Sequence, residues 1–175
     1  MSVNVLILYD NQGNQVESLA QAVAEGVGRI QGAQAMVRDL NSASPEDLLD
    51  ADSIILGTPN WNGITGRLKS WLDDMSDLGR EGLLEGKICA AFTAGWGQSS
   101  GTEFTLLSLL HWGLSWGMLI VGLPWSDRMS VSGSFYGATV FGNMSPDDEE
   151  QAKVLGSRAA QMANYLKDGG MTSIF

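Results

Sequence analysis

Three polar, glycine-bearing stretches carry the residue types best suited to hold a small ligand. The first is Asp10-Asn11-Gln12-Gly13-Asn14-Gln15. It joins an apolar run to a helical pattern, so unpaired backbone N–H groups and the positive end of a helix dipole meet there and favour an anion. Gly13 lets the chain turn close to a ligand with no Cβ in the way. Asn11, Gln12, Asn14 and Gln15 add amide donors. No Lys or Arg precedes Arg29, so an anion here would be held mostly by neutral groups. Asp10 works against it: a carboxylate beside a phosphate dianion is repulsive, and costly to bury unless neutralised or turned away. The stretch also suits a plain polar strand-to-helix turn.

The second stretch runs from Gly57 to Gly66 and contains Pro59, Asn60, Trp61, Asn62 and Gly63. Proline and the Asn-Gly pair predict a rigid turn. An indole between polar neighbours can stack on a planar ring, or fold back on the domain. The third stretch is Thr93-Ala94-Gly95-Trp96-Gly97-Gln98-Ser99-Ser100-Gly101. Its glycines let backbone approach a flat ligand edge and offer N–H donors, and Trp96 is a second candidate for stacking. It equally suits a flexible surface tip.

These stretches follow the first, third and fourth of five expected strands: Val3 to Tyr9, Ala35 to Leu40, Ser53 to Gly57, Ile88 to Thr93 and Met118 to Val121. A further strand piece is expected around Thr139 to Phe141. Helical stripes separate the strands. Val16, Leu19, Ala20, Val23 and Val27 form one, and Ala152, Leu155, Ala159, Ala163 and Leu166 form another. Ser44-Pro45 and Ser145-Pro146 read as helix starts. The alternation predicts one α/β domain over residues 1–175, a doubly wound five-stranded parallel sheet of order 2-1-3-4-5 with helices on both faces. Ligands in such sheets sit beyond the carboxyl ends of the strands, at the switch between strands 1 and 3.

Composition narrows the function. With 20 acidic and 10 basic residues, the net charge of −10 has the wrong sign for a nucleic-acid partner. No stretch approaches the ~20 apolar residues of a membrane-spanning helix. Cys89, the only cysteine, sits in an apolar run and reads as a buried inert thiol, and a reducing cytoplasmic setting is expected. GxxxxGK[ST], GxSxG and metal-ligand spacings are absent, as is a GxGxxG in the first turn. His111, inside an apolar helix, is expected to be packed and hydrogen-bonded.

In order and spacing these segments resemble flavodoxin-like FMN proteins. The nearest likeness is to NAD(P)H:quinone oxidoreductases of the tryptophan-repressor-binding-protein type. LILYDNQGNQVESLAQAVAEG, GTPNWNGITGRLKSWLDD, the glycine-rich loop with Glu103, WGMLIV and FYGAT carry the resemblance. It implies that Asp10 to Gln15 cradle the FMN phosphate, that Asn60, Trp61 and Asn62 line the ring, and that Ala94 to Ser99 meet its polar edge. The implied chemistry is hydride transfer from NAD(P)H to the flavin and onward to a quinone-like small molecule. A flavodoxin-type carrier serving a redox protein partner is the alternative, as is a domain that no longer binds FMN tightly. A homo-oligomer is compatible with either. Asp10 stands where the family usually has Ser or Thr.

Overall fold

The computed structural model describes residues 2–169. Its sheet has the order β2-β1-β3-β4-β5, all pairings parallel. The strands are β1 (Val3–Tyr9), β2 (Ala33–Asp39), β3 (Ser53–Pro59), β4 (Ile88–Gly95), β5 (Leu119–Ile120) and β6 (Ala138–Phe141). The helices are α1 (Asn14–Gly28), α2 (Pro45–Asp50), α3 (Gly66–Asp74), α4 (Ser76–Arg80), α5 (Thr102–Ser115) and α6 (Pro146–Asp168). The expected order holds, with one difference: the fifth position is filled by two segments. β5 pairs with Ile88 and Cys89, and β6 pairs farther along the same edge of β4, from Phe92 to Gly95. Residues 121–137 leave the sheet between them. Gly137 makes the return feasible, because a Cβ there would collide with the Ala91 carbonyl oxygen.

β1 and β3 read as continuous apolar runs because both faces are covered. Along β1, Val5, Ile7 and Tyr9 pack with Val16, Leu19 and Val23 of α1 and with Leu155 and Ala159 of α6. Leu6 and Leu8 point the other way, onto Leu48 of α2, Leu68 and Leu72 of α3, and Leu106 and Leu109 of α5. α6 starts where Ser145 and Asp148 cap one another: the Asp148 N–H donates to Ser145 Oγ at 3.2 Å and the Ser145 N–H to Asp148 Oδ2 at 2.8 Å.

α1 and α6 meet at two glycines. A Cβ on Gly156 would strike the Val23 carbonyl, and one on Gly26 would strike the Lys153 backbone. The Ser157 hydroxyl donates to the Gly26 carbonyl at 2.8 Å across this crossing. In an exposed helix Gly→Ala gains up to ~1 kcal/mol. Here the overlap reverses the sign, and Gly156→Ala is expected to cost about 1–3 kcal/mol. A urea midpoint lower than wild type is the expected reading; a higher one would show that the helices have room to spare.

Candidate functional site

β1 lies between β2 and β3, and the chain leaves β1 and β3 toward opposite layers. The loops after β1, β3 and β4 therefore gather at one end of the sheet. In the first, the Asp10 N–H donates to the Gly57 carbonyl at 3.0 Å, carrying the β1–β3 pairing one residue past the strand. Gly13, at φ 142°, is the N-cap of α1 and supplies no side-chain cap. The Gln12 N–H donates to the Asp10 carbonyl at 2.9 Å and the Val16 N–H to the Gly13 carbonyl at 3.2 Å, so the turn offers an incoming acceptor its amides ahead of Val16, with no side-chain cap at Gly13 in competition. Asn11 is exposed, and Gln12 and Gln15 are half-buried. Asn14 opens α1, and its side chain lies outside the described part of the structure.

Asp10 itself is completely buried. Its Oδ2 accepts from Thr65 Oγ1 at 2.5 Å and from Gln12 Nε2 at 2.9 Å. Its Oδ1 accepts no hydrogen bond among the described residues and instead faces Arg67 Nη1 at 3.2 Å. Thr65 is also the N-cap of α3, its hydroxyl accepting from the Leu68 N–H at 3.3 Å. The carboxylate is thus spent on binding the first loop to the start of α3.

Asn60 makes the second tie. Its N–H donates to the Ala94 carbonyl at 2.7 Å, and its Nδ2 donates to the Ser100 carbonyl at 2.8 Å. Its Oδ1 accepts from Thr105 Oγ1 at 2.6 Å and from the Gly63 N–H at 3.2 Å. Its side chain is therefore a brace between the loops after β3 and β4. Pro59 ends β3 buried, and Asn62, at φ 57°, and Gly63, at φ 122°, shape the turn. Trp61 is half in solvent, and Trp96, at 93% exposure, stands clear of the surface.

In the third loop Ala94 is buried and Gly95 half-buried. A Cβ on Gly95 would lie 2.8 Å from both Ser100 Oγ and Thr102 Cγ2, so the backbone there is bare by necessity. Gly97 accepts from the Ser100 N–H at 3.1 Å in a tight turn, while Gln98 Nε2 donates to the Val131 carbonyl at 3.3 Å. Ser99 is exposed. The Gln98 bond links the loop to residues 121–137. There Trp125, Phe135, Tyr136 and Met129 line a cleft of about 460 Å³ with Glu103 and Asp127.

Sequence reasoning missed Thr65, Arg67, Ser100 and Thr105. A signal existed for two of them: a buried Asp10 demands donors, and Thr65 lies at the end of the second loop with Arg67 immediately after it. His111 differs from expectation. It is exposed on α5, whose outer face also shows Phe104, Leu107 and Leu114. An apolar sequence around a residue does not by itself bury it. Among the described residues no three His, Cys, Asp or Glu side chains lie grouped for a metal, and no helix is long and apolar enough to cross a membrane.

Glycine-shaped backbone, uncapped helix amides and neutral side-chain donors suit a phosphorylated, flat, uncharged ring system. The family model described as NADPH-dependent FMN reductase matches residues 13–127. This chain belongs to that family. Among its relatives, an NAD(P)H dehydrogenase (quinone) of Archaeoglobus fulgidus is 35% identical, over 93% of this chain and 98% of its own. A flavodoxin of Aquifex aeolicus is 31% identical, over 94% and 89%. The crystal structure of a WrbA-like flavodoxin from Agrobacterium tumefaciens superposes with a TM-score of 0.75 at 25% identity, over 93% of this chain and 98% of that one.

Three outcomes are expected here. Asn60→Ala strands Thr105 Oγ1 and frees the Ser100 end of the loop, at a cost of about 1–3 kcal/mol in urea unfolding. A loss below ~0.5 kcal/mol would mean that the brace is dispensable. Cys89 is wholly buried, and burial pushes its thiol up to about 12 from an ordinary 9.0. The unfolded chain ionises first, so stability falls as pH rises from about 9 toward about 12. At pH ~8 a thiol reagent should label Cys89 only as fast as the protein unfolds, whereas labelling within the mixing time would place the thiol at the surface.

Proposed function

We propose that the chain is an FMN-dependent oxidoreductase that passes electrons from NAD(P)H to a quinone-like acceptor. The observation that carries this reading is the convergence of the three loops at one end of the sheet, tied together by Asp10 and Asn60. In this assignment the backbone of residues 11–15 and the amino end of α1 receive the phosphate. The backbone from Ala94 to Ser99 would meet the polar edge of the ring, and Trp61 and Trp96 would offer it their exposed indoles. The Asn60 and Asp10 side chains hold the loops in place. When bound, the flavin supplies hydride and electron chemistry, and the protein supplies orientation and tuning. The aromatic cleft at Trp125, Phe135 and Tyr136 is where we place the flat acceptor. We read residues 1–175 as one working unit, and the lone buried Cys89 fits a reducing cytoplasm.

Two observations favour a carrier instead. Trp96 is almost fully exposed, and a net charge of −10 suits a basic redox partner.

FMN titration followed by flavin fluorescence, then by NADPH oxidation with a soluble quinone, tests the assignment. Micromolar or tighter binding with quinone-dependent turnover is expected. Binding without turnover would select the carrier, and no binding at micromolar FMN would refute both.

A further inference from the structure

The phosphate end of the site has an unusual charge balance. Across the three loops, residues 10–15, 57–66 and 93–101, Asp10 is the only charged residue. The next charge along the chain from any of them on the α3 side is Arg67, and the two are in contact at 3.2 Å. Glu17, exposed in the first turn of α1, is a fixed solvated charge outside the loops; within the loops, the charge a phosphate ester meets is set by this pair.

The direction of Asp10 follows from strand alternation. Leu6 and Leu8 face the α2–α3–α5 layer, while Val5, Ile7 and Tyr9 face α1 and α6. Asp10 continues the Leu6–Leu8 side, and its partners Thr65 and Arg67 sit at the start of α3. The amide donors of α1 belong to the other layer. Arg67 is held in turn by Asn41, whose Oδ1 accepts from its Nη2 at 2.9 Å. Oδ1 of Asp10, fully buried and without a hydrogen bond among the described residues, has Arg67 as its compensation. An acceptor so placed is costly without its cation.

We propose that Arg67 is the counter-ion that admits a phosphate ester beside Asp10, so that the pair sets this chain's preference for FMN over riboflavin. The proposal rests on the reading that the three loops hold FMN. Arg67 acts here through Asp10 as a positioning residue. It draws the carboxylate toward α3 and cancels its field at the first loop, while the neutral donors make the contacts.

The readout is the ratio of dissociation constants, riboflavin over FMN, from flavin fluorescence quenching in wild type, Arg67→Met, Asp10→Asn and the double variant. Thermal melting of each flavin-free protein is measured alongside. A ratio cancels any general loosening of the loops, which weakens both flavins alike. Arg67→Met exposes the phosphate to an uncompensated charge, so the ratio should fall about tenfold or more at low salt, and by less as ionic strength rises. The double variant removes both charges and should return to within about threefold of wild type, with its melting temperature recovered relative to Arg67→Met. Asp10→Asn alone leaves a lone cation and should raise the ratio severalfold; this arm decides the matter if Arg67→Met does not fold. An unchanged ratio in Arg67→Met, or in Asp10→Asn where that variant decides, overturns the proposal. So does a fall in the double variant as large as in Arg67→Met, which would make Arg67 a direct phosphate ligand. Wild-type protein that binds neither flavin overturns the site assignment as well, whereas wild-type FMN binding with an insensitive ratio overturns this inference alone.

Discussion

The parallel pairing of β1 with both β2 and β3 is the constraint from which the site follows. A strand with parallel neighbours on both sides sends the chain into one helical layer after β1 and into the other after β3. The two loops part at that point, beyond the carboxyl ends of the strands. The β4 loop is drawn in because β4 extends β3 in register, from Ser53–Ile88 to Pro59–Ala94. The gathering of three loops at one edge is thus a consequence of strand order. The amino end of α1 is aimed at it because α1 must return over β1.

Strand order brings the loops near one another without fixing their shapes. That is done by two buried polar groups. The Asp10 carboxylate binds the first loop to the N-cap of α3, and the Asn60 amide binds the β3 loop to Ser100 and Thr105. Such groups add little net stability, since desolvation offsets most of what their hydrogen bonds return. Their contribution is to specify one arrangement, because any other leaves a buried acceptor or donor unpaired. Stability comes from the apolar clusters on the two faces of the sheet.

Much of this was legible in the sequence, and the reasons are physical. The runs at Val3–Tyr9 and Ser53–Gly57 announce strands buried on both faces, and Ser44-Pro45 and Ser145-Pro146 announce helix starts, because those signals are local. The division of the last sheet position into β5 and β6 was only half visible. It depends on Gly137 passing close to the Ala91 carbonyl, a contact across 46 residues of chain. Asn60 read as a ring-lining amide because its partners Ser100 and Thr105 lie 40 and 45 residues away. Asp10 read as a threat to phosphate binding. The two-residue alternation of β1 already held the answer, since it places Asp10 on the side of Leu6 and Leu8, where Thr65 and Arg67 wait.

The central claim is that the three loops together form the flavin site. Backbone amide chemical shifts of the isotope-labelled protein, followed as FMN is added, test it directly. The large shifts are expected to cluster at residues 11–15, 59–63 and 94–99. Shifts confined to the outer face of α5, or to the cleft at Trp125 and Phe135 with the first loop unmoved, would contradict it.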